Sequence, residues 1–251
     1  MVLDDLSYIE SIDRSGMRDI LKGFSEQCAR AIEMGKKMDI PSSITKGGIN
    51  KVVVCGLGGS AIGGDILRTL FFDRKILIEV SRDYYLPSFV DRQTLIFAVS
   101  YSGNTEETIS SFKQALSAGY PIVSMGSGGE LQKLSRENRV PFIQVPSGMP
   151  PRCAIGFLSI PAVILLEKIT GDYLFNYQEL VEVISDMCKK YLPEESINNN
   201  LAKSIALRLK GKVPLIYGVN RLTDVVAHRL KTQFNENSKV IASWDVFPEL
   251  N

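Results

Sequence analysis

Two short stretches hold side chains whose types and spacing suit the capture of an anion. SYSGNTEET, Ser100 to Thr108, places three hydroxyls, Ser100, Ser102 and Thr105, within six positions directly after the apolar run Leu95-Ile96-Phe97-Ala98-Val99. Gly103 permits a sharp turn, and Asn104 or Thr105 is placed to cap a helix that begins there. Hydroxyls combined with backbone N–H groups at a helix start make a neutral phosphate cradle that needs no lysine cluster. A cap and a corner would account for one or two such residues, but three hydroxyls at the carboxyl end of a central strand exceed what a cap requires. The second stretch, GLGGSAIGGD from Gly56 to Asp65, supplies glycines that let backbone approach a ligand, and sets Ser60 beside a helix start. Two other readings compete for it. One is a dinucleotide fingerprint, since Gly56, Gly58 and Gly59 fall near that pattern with Ala61 in its third position, and Glu79 ends the next predicted strand. The other is tight strand-to-helix packing with no ligand at all.

These loops need elements to hold them. Residues 16 to 38 carry Met17, Ile20, Leu21, Phe24, Cys28, Ala31, Ile32 and Met34 at three- and four-residue intervals, which predicts an amphipathic helix ended by Pro41. Val52 to Cys55 predict a short, wholly apolar strand, with a helix after the glycines marked by Ile62, Ile66, Leu67 and Leu70. Further strands are predicted at Ile76 to Val80, Leu95 to Ser100, Ile122 to Met125 and Phe142 to Val145, with helices at 105 to 118 and 129 to 137. Strands apolar on both faces that alternate with helices imply a parallel sheet covered on both sides, an α/β doubly wound domain. The apolar run from Arg152 to Thr170 contains Pro161, which is expected to kink a helix or divide it into two segments. Amphipathic helices follow at 176 to 191 and 197 to 210, separated by the polar LPEESINNN, which suits a linker. KVPLIYGVNRLTDVVAHRLKTQF then repeats the first unit in outline, with Gly218 where Gly56 stood and one more strand expected near Val240 to Ala242. The expected plan is a helical segment over 1–48, a doubly wound domain over 49–172, a helical connection over 173–211 and, over 212–251, the start of a second domain left incomplete.

Composition excludes several classes. With a formal net charge of +1 and basic residues spread along the chain, nothing provides the field of a nucleic-acid binder, so an anion has to be held locally. The four cysteines, Cys28, Cys55, Cys153 and Cys188, match neither a disulfide framework nor a zinc pattern and read as reduced filler in a cytoplasmic protein. No apolar run reaches the length of a membrane span, and MVLDDLSYIE lacks the regions of a signal peptide.

GLGGSAIGGD and SYSGNTEET resemble the two loops of sugar isomerase (SIS) domains, the phosphosugar-binding modules of aldose-ketose isomerases and related regulators. With MPPRCAIG, FNENSKVIASWDVFPELN and the two-domain repeat, the chain resembles the bifunctional phosphoglucose/phosphomannose isomerase family from about Gly56 onward. The resemblance implies that Gly58, Gly59 and Ser60, and Ser100, Ser102 and Thr105, hold substrate, the second group gripping its phosphate. It implies that Arg152 of the PPR motif lies beside the reacting carbons and that Glu236 of NENSK is the base. Such roles suit proton shuttling between adjacent sugar carbons, which needs a carboxylate over C2 and positive charge near a cis-enediolate. Alone, Glu236 reads as a solvated helix end and Arg152 as a surface charge. The family carries a ring-opening histidine just after the sequence matching PELN, and a lysine near its C-terminus; the expectation is a chain that stops short of both, so that ring opening is impaired if these residues are the whole polypeptide, and the missing acid lies just beyond them if they are a fragment. His228, the only histidine, does not match that position and reads as a packing or solvated residue.

The expected reaction is metal-independent, cofactor-free interconversion of glucose 6-phosphate or mannose 6-phosphate with fructose 6-phosphate. A non-catalytic sugar-phosphate sensor would use the same loops without a base, and a nucleotide-dependent redox enzyme would bind its cofactor at the Gly56 loop. The resemblance further implies a homodimer, with a phosphorylated hexose as substrate and neither nucleic acid nor membrane as partner.

Overall fold

The computed structural model describes residues 2–250; Met1 and Asn251, the outermost residues of the first and last expected segments, lie outside the described residues. The helices are α1 (Leu6–Ile12), α2 (Met17–Lys22), α3 (Phe24–Lys37), α4 (Ser42–Thr45), α5 (Gly58–Leu70), α6 (Glu106–Ala118), α7 (Gly129–Glu137), α8 (Ile155–Thr170), α9 (Tyr177–Lys190), α10 (Leu201–Leu209) and α11 (Asp224–Gln233). The strands are β1 (Lys51–Cys55), β2 (Leu77–Ser81), β3 (Thr94–Val99), β4 (Ile122–Gly126), β5 (Phe142–Gln144), β6 (Leu215–Val219) and β7 (Ser243–Phe247). They group into two compact units, Arg30–Leu174 and the pair of segments Met1–Ala29 and Phe175–Asn251.

In the unit Arg30–Leu174, all five strands run parallel in the order β2-β1-β3-β4-β5. β1 and β3 are central, with Val53 beside Ile96 and Cys55 beside Ala98. Side chains alternate across a strand. Val53, Cys55, Ile96 and Ala98 therefore share one face, packed with Phe112 and Ala115 of α6 and Leu131 of α7. Val54 and Val80 line the other, where α5 lies so close that a Cβ on Gly64 would stand 2.9 Å from Val54. Covering on both faces explains why β3 is buried from Thr94 to Val99 and reads as an unbroken apolar run.

Helix α8 backs α5. The expected division at Pro161 does not occur: one helix runs from Ile155 to Thr170, and every residue from Ile155 to Glu167 is buried. A proline inside a helix costs about 3 kcal/mol. Burying each large apolar side chain contributes about 1.5–3 kcal/mol, so this helix tolerates its broken bond. Lys168 Nζ donates to the carbonyls of Gly35, Lys36 and Met38 at 3.0, 3.2 and 2.9 Å, closing the end of α3 against α8. The predicted 16–38 helix is instead two, interrupted at Gly23.

In the other unit, β6 and β7 pair in parallel with α11 between them in sequence, so the expected strand at Val240 to Ala242 falls later, over Ser243–Phe247. The polar segment 192–200 is tied down rather than loose. Lys203 Nζ donates to Pro193 O (2.6 Å), Glu195 O (2.7 Å) and Asp4 Oδ1 (3.0 Å), and Asn200 caps α10 through the Lys203 N–H. All four cysteines are free thiols; burial pushes Cys55 up to about 12, and burial together with the neighbouring Cys188 does the same for Cys28.

Candidate functional site

The strand order turns back on itself between β1 and β3. Open parallel sheets bind ligands beyond the carboxyl ends of the strands at such a switch point. Both polar stretches lie there: GLGGS leaves β1 and SYSGNT leaves β3. The two candidate loops are therefore neighbours, an adjacency that follows from the pairing of β1 with β3.

Gly58 opens α5 with a φ of +51°, a left-handed value that glycine adopts without strain, and α5 has no side-chain cap. The Ser60 and Ala61 N–H groups bond Leu57 O, so it is the N–H groups of Gly58 and Gly59 that are left to water or a ligand. Ser60 is buried, and its Oγ accepts the Tyr101 N–H at 3.2 Å, which joins the first loop to the second.

Within the second loop, Ser100 is fully buried. Its Oγ accepts the N–H groups of Gly103 (3.1 Å) and Thr105 (3.4 Å) and lies 2.8 Å from Thr105 Oγ1. A hydroxyl has two lone pairs and one proton. With both lone pairs occupied, the Ser100 proton goes to Thr105 Oγ1, and Thr105 keeps its own proton to donate. Exposed Ser102 likewise accepts the Asn104 N–H at 3.3 Å. Ser60, Ser102 and Thr105 thus each accept a hydrogen bond from the protein and present an O–H as donor. That polarity suits an anion held without a cation.

The expected capping role moves. Thr105 occupies the N-cap position of α6 without capping it, because its hydroxyl is engaged by Ser100. Asn104 caps the neighbouring helix instead: its Oδ1 accepts the Glu130 N–H of α7 at 3.0 Å, where the N-cap residue is Gly128 and has no side chain to offer. Glu106 and Glu107 share the first turn of α6 and hold the Tyr84 phenol above its usual range, Glu107 contributing most.

Arg152 is half-buried in the 3-10 turn Pro151–Cys153, and that turn rests on the first loop: a Cβ at Gly59 would lie 3.1 Å from Pro151 O. Gly58, Gly59, Ser60, Ser100, Ser102, Thr105 and the Arg152 turn are therefore elements of one unit, gathered at one end of its sheet. Glu236 belongs to the other unit, exposed on a π-helical turn over Phe234–Ser238 that continues α11. His228 is half-buried, stacked on Trp244 with ring centroids 4.8 Å apart. Sequence reasoning missed Tyr101. The signal was a large aromatic residue set between two serines in an otherwise polar loop.

The dinucleotide alternative loses support from the sheet. Glu79 stands in the middle of β2, two residues before its carboxyl end, and the residue just past that end, Arg82, is paired with buried Asp65 of α5. Among the described residues no group of three or more His, Cys, Asp or Glu is placed to hold a metal ion, and no helix is long and apolar enough to cross a membrane.

Comparison with known proteins agrees with this geometry. The family described as bacterial phospho-glucose isomerase C-terminal SIS domain matches residues 198–251. A bifunctional phosphoglucose/phosphomannose isomerase of Caldicellulosiruptor bescii is 43% identical over 232 residues, 90% of this chain and 67% of that protein. A D-glucosamine-6-phosphate 4-epimerase of Sulfolobus acidocaldarius is 33% identical over 214 residues, 85% of this chain and 64% of that protein. The chain thus spans about two thirds of the length of these relatives. The C-terminal domain of glucosamine-fructose-6-phosphate aminotransferase from Francisella tularensis superposes with a TM-score of 0.68 at 15% identity, over 92% of this chain and 70% of that one, and so shares the fold. Identity of 43% across nine-tenths of this chain and two thirds of that relative makes this chain a member of the bifunctional phosphoglucose/phosphomannose isomerase family.

Proposed function

We propose that the chain carries out aldose-ketose isomerisation of a hexose 6-phosphate, interconverting glucose 6-phosphate or mannose 6-phosphate with fructose 6-phosphate. One observation supports this most: Ser102 and Thr105 each accept a protein hydrogen bond and so keep an O–H to donate to a phosphate, while Ser60, which accepts the Tyr101 N–H, keeps one for a sugar hydroxyl. Ser102, Thr105 and the N–H groups of that loop take the phosphate, with Ser100 fixing Thr105. Gly58, Gly59 and Ser60 take the sugar hydroxyls. The Glu236 carboxylate removes the C2 proton of the open-chain aldose, and the C–H electron pair becomes the C1–C2 double bond of a cis-enediolate. The C1 carbonyl pair moves onto O1 and Arg152 balances the negative charge on the enediolate oxygens; transfer of the O2 proton to O1 and return of the carbon-bound proton from Glu236 to C1 give the ketose. Neither a hydride acceptor nor a metal enters these steps.

The same reading assigns residues 49–172 to a first SIS domain and 212–251 to the start of a second. It also makes the protein cytoplasmic and homodimeric, and the molar mass in solution, measured by light scattering, tests the dimer.

A coupled assay with fructose 6-phosphate checks the reaction. Glu236→Gln is expected to lower turnover by about 10²–10⁴-fold, the usual weight of a general base, while fructose 6-phosphate binds as before. Binding without turnover in the unaltered chain would favour a sensor, and retained turnover in the variant would remove Glu236 from the reaction. The Sulfolobus relative favours one further reading, epimerisation at C4 of an amino-sugar phosphate. Incubation with glucosamine 6-phosphate followed by product analysis separates it.

A further inference from the structure

The ring and hydroxyl of Tyr101 take no part in the cradle described above, yet five hydrogen bonds tie this residue to its surroundings. Its ring is buried at 7% exposure. Its N–H donates to Ser60 Oγ, and its carbonyl accepts from the N–H (2.8 Å) and the Oγ (2.6 Å) of Ser127. Its hydroxyl donates to Pro146 O at 2.9 Å and accepts the Met149 N–H at 3.0 Å. The last two bonds reach a segment of irregular backbone, 145–150, that leads directly into the turn carrying Arg152. Irregular backbone holds its place only through such bonds. On its far side the same turn rests on Gly59.

We propose that Tyr101 is a positioning residue: its hydroxyl staples residues 146–149 to the loop after β3 and thereby holds Arg152 over the Gly58–Ser60 loop. This rests on the isomerase reading for its consequence in turnover, though not for the staple itself. Tyr101→Phe is a selective probe, because the peptide groups that bond Ser60 and Ser127 remain. It removes one hydroxyl and with it two part-buried hydrogen bonds, to the Pro146 carbonyl and from the Met149 N–H.

Three measurements test the staple and its effect. In the unaltered protein, the Met149 amide is expected to exchange slowly with solvent. In Tyr101→Phe, tryptic cleavage after Arg152 under native conditions is expected to rise about tenfold, as a locally opened segment becomes available, with the far-UV circular dichroism unchanged. In the kinetic arm, kcat is expected to fall about tenfold, the effect of about 1.4 kcal/mol, while KM for fructose 6-phosphate barely moves. Tyr101→Phe added to Arg152→Ala should lower kcat no further. A fast Met149 amide or unchanged cleavage overturns the staple. Faster cleavage with unchanged kcat, or additive losses in the double variant, overturns the positioning role. Absence of turnover in the unaltered chain overturns the isomerase reading, and cleavage and exchange still decide whether the staple exists.

Discussion

Ser100 and Ser102 are two positions apart and have different work. Ser100 is fully buried, and its hydroxyl organises the loop by accepting two N–H groups and orienting Thr105. Ser102 is exposed and offers its proton outward. Ser100→Ala is expected to cost about 1–3 kcal/mol of stability, since it strands buried donors, and to weaken phosphosugar binding as Thr105 loses its orientation. Ser102→Ala is expected to leave the melting temperature where it was, within the usual reach of about 0.5 kcal/mol for a surface change. Its affinity for fructose 6-phosphate should still fall about tenfold or more, the weight of a hydrogen bond to a charged group. Thermal melts and calorimetric titration of the two variants check this division. A Ser102→Ala protein that binds fructose 6-phosphate as tightly as the parent would remove Ser102 from the cradle.

The loops after β3 and β4 are bound to each other by Asn104, whose side chain supplies the cap that Gly128 lacks. Gly103 lets them approach, with its φ of +73° and its Cα against the Gly128 carbonyl. Asn104→Ala is expected to cost about 1 kcal/mol, the usual value of a lost N-cap, and to lower the melting temperature by about 2–4 °C for a chain of this size. Asn104→Asp, which keeps an acceptor, should recover most of that loss; equal losses in both variants would show that the cap carries no weight. Asn104 also shows where sequence reading stopped. Its proximity to a helix start is visible in the chain, but the helix it serves is the next one, and only the placement of β4 beside β3 reveals that. The central strands were legible because burial on both faces leaves nothing polar in them, as in Val52 to Cys55 and Leu95 to Val99. Helices α6 and α7 were legible from their spacing. Pro161 misled because its local cost is written in the sequence, whereas the burial that outweighs it comes from α3 and α5. Likewise GLGGSAIGGD reads as one motif and is two: Gly58 to Ser60 face the switch point, while Gly63 and Gly64 let α5 lie against α8 and β1. The strand ends from which the candidate loops leave were readable, and the hydrogen bonds that sort Ser100 from Ser102 were not.

Across the whole molecule, apolar burial is unequally shared. The unit Arg30–Leu174 contains the buried β1, β3, β4 and α8, whereas in the other unit the buried apolar residues are, among those described, Cys28, Ile197, Ala227 and Ala242. There the β6–β7 sheet leaves Leu215, Tyr217, Val219 and Phe247 on a face exposed to solvent. Free energies of local opening follow buried contact, so amides of β6 and β7 are expected to exchange with solvent well before those of β1 and β3. The residues assigned to binding and the residue assigned to proton transfer fall on opposite sides of that division, since the cradle lies in the first unit and Glu236 in the second. The chain reports on it directly, because its single tryptophan, Trp244, lies in β7. In a urea series, the Trp244 fluorescence transition is expected at a lower concentration than the loss of far-UV circular dichroism. Isomerase turnover should disappear with the first transition, while fructose 6-phosphate binding persists until the second. Coincident transitions would show instead that the two units unfold as one, and binding lost together with turnover would mean that the cradle in Arg30–Leu174 does not hold phosphosugar by itself.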